Sequence, residues 1–277
     1  MAPSKPPSNL AVRVATAVVA VPLILLLLYR GPAWAMYAVA LPASLIGVWE
    51  LFSMTHERDT LSKGIGVVMT IAASLAIYFF GKDLRVVVSV VALVPLLGPM
   101  LTLIRIGDME TAALRAATLG FGPLWVGLPL TWLAVMRRDV GGSEGARYVV
   151  MSLMFAWFSD TGGYFAGRFL GKHKLYEAVS PKKTWEGAFG GLAGAALGAL
   201  LAHFWYLPEI PLVHALVLSQ LAGALGQVGD LAESLFKRST GVKDSGQIVP
   251  GHGGILDRVD ALLVTATIVY LYTVWVR

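Results

Sequence analysis

The 277-residue sequence contains no cysteine. Disulfides, thiolate nucleophiles and cysteine-rich metal sites are therefore excluded. Charge is scarce as well: Asp, Glu, Lys and Arg make up 14% of residues, against about 25% in soluble domains. Ionised groups this sparse cannot cover the apolar surface, so lipid must be the solvent for most of the chain. No P-loop, heptad array or low-complexity tail is present. No convincing internal repeat appears either, which leaves a two-repeat transporter plan without support.

What the sequence does have is apolar length, with 56% hydrophobic residues. A membrane-spanning helix needs about 20 of them in succession. Runs of that kind cover 10–29, 33–54, 65–81, 86–104, 112–136, 148–167, 185–206, 212–237 and 256–276. The expectation is an all-α, polytopic integral membrane protein with about nine transmembrane helices. Residues 1–147 read as N-terminal scaffold helices, and 148–277 as a C-terminal catalytic region. The first run is longer than the core of a cleaved signal peptide, about 7–15 residues, and reads as a retained helix. The net charge of +5 does not point to nucleic acid, because the Lys and Arg sit in short gaps between apolar runs. Most of them fall on the N-terminal side of a nine-span topology, which predicts a cytoplasmic N-terminus.

The polar chemistry gathers between residues 148 and 260. Asp160 lies inside an apolar run, where a carboxylate needs a partner or water. Asp160, Tyr164 and Arg168 share one helix face at i, i+4 and i+8; a structural Asp–Arg pair is the alternative to a site. In Ser180–Pro181–Lys182–Lys183–Thr184, Ser as N-cap and Pro at the first helical position predict a helix start. Two lysines and a threonine there would cradle phosphate, or the lysines would only anchor the helix to the membrane surface. Gly190, Gly194 and Gly198 follow the small-residue spacing of close helix packing rather than a nucleotide loop. Gln220, Gly223, Gln227, Asp230 and Ser234 form a polar stripe on one face of the eighth span.

The densest segment runs from Ser234 to Asp260. Glycines at 251, 253 and 254 permit close backbone approach and positive φ. Asp257 and Asp260 share a helix face. Carboxylate oxygens suit magnesium, which takes one or two carboxylates plus substrate phosphates. Lys237, Arg238, Lys243 and Arg258 supply countercharge. His252 would either donate to a phosphate or cap its loop.

With Lys237–Arg238, Lys243–Asp244, His252–Gly253–Gly254, Asp257–Arg258 and Asp260 all in place, this segment resembles the signature of the phosphatidate cytidylyltransferase (CDP-diacylglycerol synthase) family. The runs Asp160–Thr–Gly–Gly–Tyr and Ser180–Pro–Lys–Lys–Thr–Trp–Glu–Gly resemble it too. Val249 departs from it, where the family pattern favours Leu, Ile or Phe. The resemblance implies CTP and phosphatidic acid as partners within membrane lipid, no nucleic acid, and release of pyrophosphate. It implies magnesium on Asp230 and Asp257 and leaves potassium open as a second ion. Catalysis is expected from Asp230, Asp257, Lys237, Arg238, Lys243, Asp244, His252, Arg258 and Asp260. Substrate binding is expected from Asp160, Ser180, Lys182, Lys183, Thr184, Ser234, Gly253 and Gly254. The expected location is the cell inner membrane with the site facing the cytoplasm, and a homodimer is left open. An ion or metabolite transporter would spread its polar residues across the membrane instead of gathering them at one end. The Asp-Gly-x2-Ala-Arg pattern of CDP-alcohol transferases is absent.

Overall fold

The computed structural model describes residues 9–246, 248 and 253–277, with side chains from residue 18 onward. Helices dominate. In order they are α1 (Asn9–Arg30), α2 (Ala33–Thr55), α3 (Thr60–Phe80), α4 (Leu84–Ile104), α5 (Met109–Gly122), α6 (Leu128–Asp139) and α7 (Glu144–Phe169). A two-stranded hairpin follows, β1 (Lys174–Tyr176) and β2 (Ser180–Thr184), and then α8 (Trp185–Leu201), α9 (Leu212–Ser239) and α10 (Leu256–Trp275). A π turn over Pro123–Gly127 joins α5 to α6, and another over Ala202–Tyr206 extends α8. Wide turns suit the first position, where Pro123 and Pro129 withhold donors from the helical ladder.

Seven helical segments among the described residues are long and apolar enough to cross a membrane. The chain is an integral membrane protein. Of the two other expected spans, α1 is a 22-residue helix whose side chains are described only over Val18–Arg30, and α7, which carries Glu144, Arg147, Asp160 and Arg168, falls short of that measure.

In lipid, apolar contact alone draws helices together weakly, so close packing must hold them. Helix α4 shows how. Its buried residues Val94, Gly98 and Thr102 form a stripe of period four, while Leu84, Leu93, Leu103 and Ile104 face outward. A side chain on Gly98 would run into the α5 backbone at Ala116 and Gly120. Helices α2 and α6 pack against α10, so the two ends of the chain share one core around Val48, Leu133, Leu256 and Leu263.

The hairpin corrects one expectation. Ser180 and Pro181 do not start a helix; they lie in β2, with Ser180 opposite Tyr176 and Thr184 opposite Lys174. The helix begins at Trp185, and Thr184 Oγ1 caps it by accepting from Gly187 N at 3.1 Å. Two short strands are marginal alone. Side chains pin this pair: Lys174 Nζ donates to Pro181 O at 2.5 Å, and Glu186 accepts from the backbone of Lys172 and His173.

Candidate active site

Helices α7 and α8 lie against each other along glycine. A side chain on Gly162 would strike the carbonyl of Gly190, and one on Gly194 the carbonyl of Phe158. The small-residue spacing in the sequence is thus a packing seam. Helix α9 closes on α8 through its polar stripe: Gln220 Nε2 donates to Leu192 O at 3.2 Å and Gln227 Nε2 to Ala188 O at 3.1 Å.

Beyond the seam these elements part around a cleft of about 500 Å³. Asp160, Tyr164 and Arg168 line it from α7, Lys182, Lys183 and Thr184 from β2, and Gln227 and Asp230 from α9. Lys183 Nζ lies 2.7 Å from Asp230 Oδ2. The expected Asp160–Tyr164–Arg168 face is present, but the contact along it is Arg168 Nη1 donating to Tyr164 OH at 2.6 Å. Asp160 is exposed to the cleft. Its carboxylate lies within electrostatic reach of Asp230, Lys183 and Arg258. Asp260 in turn lies within electrostatic reach of Asp230, Glu233 and Asp160. Helices α7, α9 and α10 therefore bring three aspartates into one neighbourhood, with lysine and arginine among them. Such a mixture attracts both cations and phosphates.

A second cluster lies beside it. Lys237 Nζ bridges Glu233 Oε1 at 2.9 Å and Asp257 Oδ1 at 2.6 Å. The other Asp257 oxygen accepts from Ser245 N at 2.9 Å, Ser245 Oγ at 2.9 Å and Gly254 N at 2.8 Å. Gly253 stands at φ +80°, and a Cβ there would come within 2.5 Å of Asp257 Oδ2. Asp257 is thus bound into the loop before α10, whereas Asp230 faces the cleft.

The remaining expected residues divide. Ser180 is half-buried in β2, and Ser234 half-buried on α9. Arg238 is engaged by backbone, donating to Val179 O at 3.4 Å and Val242 O at 3.2 Å. Lys243, Asp244 and Arg258 are exposed, and Gly254 is buried. His252 lies outside the described residues.

Among the described residues no group of three or more His, Asp or Glu could hold a metal alone, and magnesium characteristically completes its shell with waters and substrate phosphates. Asp160, Asp230 and Asp260 lie within electrostatic reach of one another without forming such a group. Both oxygens of Asp257 are taken by protein donors, so its part in the shell would require exchange of Lys237.

One residue escaped the sequence reading. Glu50 of α2 is 3% exposed and accepts from Ser245 Oγ, Ile255 N and Leu256 N at 3.0, 3.0 and 2.8 Å. Its only signal is a lone acid in a 23-residue apolar helix.

Residues 11–276 match the cytidylyltransferase family. The phosphatidate cytidylyltransferase of Brucella suis biovar 1 is 33% identical over 275 residues, covering 96% of this chain and 93% of that protein. That of Staphylococcus epidermidis is 46% identical over 121 residues, covering 44% of this chain and 46% of the relative. That of Staphylococcus saprophyticus is 43% identical over 139 residues, covering 50% and 52%. Against the staphylococcal relatives the chain spans about half of their length.

Proposed function

This chain belongs to the cytidylyltransferase family, and from that premise we propose that it joins CTP to phosphatidic acid. The products are CDP-diacylglycerol and pyrophosphate. The names of the relatives support this reading. The observation that carries it is the cleft, where Lys182, Lys183 and Arg168 face Asp160 and Asp230 in a membrane-embedded fold.

The chemistry needs no strong base. An oxygen of the ionised lipid phosphate attacks the α-phosphorus of CTP, and the bond to the β-phosphate oxygen breaks. The pyrophosphate carries that electron pair away. What the protein must do is hold two anions together and neutralise the charge that builds up. Lys182 and Lys183 bind phosphate oxygens at the mouth of the cleft, with Arg258 as a further cation. Asp230 sets the position of Lys183 through their ion pair. Thr184 ends β2 and caps α8, so the strand that carries the lysines is tied to a fixed helix start. Lys237 holds Asp257, and with it the loop carrying Gly253 and Gly254.

Magnesium, when bound, would neutralise the phosphates and polarise the reacting group, with Asp230 and Asp257 as its protein ligands. Potassium as a second ion rests on the resemblance alone. The cleft faces the cytoplasm in this reading, at the inner membrane, because CTP comes from the cytosol. Tags at residues 176 and 246 would then be cytoplasmic and a tag at 209 outside; finding 176 and 209 on one side would refute that sidedness. The reaction itself is tested by mixing purified protein with α-labelled CTP and a panel of lipid phosphates. Label should enter CDP-diacylglycerol only with phosphatidic acid and magnesium present. Label transferred with no lipid dependence would overturn the assignment.

A further inference from the structure

We propose that Glu50 is a positioning residue for this reaction: from α2 it clamps the start of α10 and so sets where Asp257, Arg258 and Asp260 stand. The inference rests on the reaction proposed above. The first turn of any helix has N–H groups without helical partners. A side chain just before the helix usually accepts from them, but the residue at that place before α10 is Ile255, which has no acceptor. Glu50 does this from the other end of the sequence. Its Oε1 accepts from Ile255 N at 3.0 Å and its Oε2 from Leu256 N at 2.8 Å. An acidic group at a helix start also meets the positive end of the helix dipole.

Gly246 and Gly254 both close on this carboxyl. A Cβ on Gly246 would lie 2.6 Å from Glu50 Oε1, and one on Gly254 would run into Glu50 Oε2 and Ser245 Oγ. Only glycine lets the backbone close down so far. Ser245 links the clamp to the cluster: its hydroxyl proton is shared between Glu50 Oε2 at 3.0 Å and Asp257 Oδ2 at 2.9 Å. Glu50 is also the only charged residue in α2. Leucine would fill a packing position there without the cost of a buried acid. The observed contacts instead fix the start of the helix that carries Asp257, Arg258 and Asp260, and small errors of position cost catalysis heavily.

The test uses purified full-length protein with Glu50→Gln and Glu50→Asp. Gln keeps the volume but turns one acceptor oxygen into a donor facing N–H groups. Asp keeps both oxygens on a shorter stem. Amide exchange of the 245–258 peptide is read against the start of α8, which carries its own Thr184 cap. In Glu50→Gln the 245–258 peptide should exchange at least tenfold faster while the α8 start is unchanged. Turnover per folded molecule should fall tenfold or more, KM for CTP should move less than threefold, and half-saturating magnesium should rise several-fold. Glu50→Asp should lie between parent and Gln on each measure, and it carries the test if Gln fails to fold. Parental exchange at 245–258, or faster exchange with parental turnover and magnesium dependence per folded molecule, would overturn the proposal. A parent chain that turns over no CTP would overturn the assigned reaction instead, and the exchange measurement would still decide the clamp.

Discussion

The two halves of the chain bury polar groups in different ways. In residues 1–147 they are met mostly by near neighbours. Ser44, Thr70, Thr102 and Thr131 each donate to the carbonyl four residues back. The longer link Tyr37–Ser74–Thr131 joins helices with neutral hydroxyls at 3.1 and 2.7 Å. Residues 148–277 also hold hydroxyls bonded to nearby carbonyls, such as Ser152 to Tyr148 O, but they add ion pairs between residues distant in sequence: Lys183 with Asp230, Lys237 with Asp257. A scaffold can satisfy itself locally. A site that handles anions must gather charge from several helices, which is costly in lipid and stands only where each charge has a partner or water. Glu50 connects the two halves, an acid of α2 bonded to the start of α10.

The largest test of this contrast is steric. Gly194→Val or Gly162→Val puts atoms into facing backbone, which cannot move aside as a flexible side chain would. Each should abolish folded protein, read by size-exclusion of the tagged chain in detergent. Gly64 has nothing within 4 Å of a Cβ, so Gly64→Ala should stay within about 1 kcal/mol of the parent. Equal yields of Gly194→Val and Gly64→Ala would break the account of the seam.

A smaller effect concerns charge. Lys182→Gln removes a cation from the cleft, and one charge-assisted contact is worth about 1.5–3 kcal/mol. KM for the anionic substrate it holds should rise about tenfold or more. Arg105, in the first half, pairs with Asp59 at 3.2 Å on the surface, and Arg105→Gln should leave both KM values unchanged. Matching kinetics in the two variants would return Lys182 to membrane anchoring.

The smallest is a pH effect confined to the scaffold. Burial pushes His56 down to about 4, with Arg115 acting in the same direction and Asp59 against it. Nearby Asp59 is raised by its own burial, but its bonds to Ser62 and Arg105 outweigh that and bring it down to about 2. Between pH 6.5 and 4 the unfolded chain therefore takes up a proton at His56 that the folded chain refuses, and stability falls as pH falls. Folded Asp59 stays ionised in that window, and its unfolded form, near 3.8, adds a fall of the same sign only at the acid end. The thermal midpoint at pH 5 should lie a few degrees below that at pH 7, and His56→Gln should flatten the difference. An equal drop in His56→Gln would locate the effect elsewhere.

Much of this architecture was legible because apolar runs announce their own length. The run at 185–206 coincides with α8 and its π turn, and that at 212–237 falls two residues short of α9. The glycine spacing and the polar stripe were legible for the same reason, since helical period places residues on faces. The hairpin was not. Its strands are three and five residues long, too short for alternation to mark them, and Ser180–Pro181 imitates a helix start. Glu50 was hidden by distance, since its partners Ser245, Ile255 and Leu256 lie at the far end of the chain. The grouping of Asp160 with Asp230 and Asp260 depends on how three helices cross, which periodicity cannot supply. The expectation that Asp257 stands with Asp230 on one ion remains a proposal, and the bonds of Asp257 to the loop give it a second duty.

The contrast is tested most directly by one pair of substitutions, one in each half. Asp230 pairs with Lys183 in the cleft, and Asp139 pairs with Arg138 at 2.6 Å in the scaffold. Asp→Asn keeps shape at each position and removes the anion. Conversion of CTP to CDP-diacylglycerol per folded molecule is followed across a magnesium titration. Asp230→Asn should fold, stay in the membrane and lose at least a hundredfold in turnover, with residual activity that needs more magnesium. Asp139→Asn should lose stability while its folded fraction turns over like the parent. Parental turnover and unchanged magnesium dependence in Asp230→Asn would contradict the contrast.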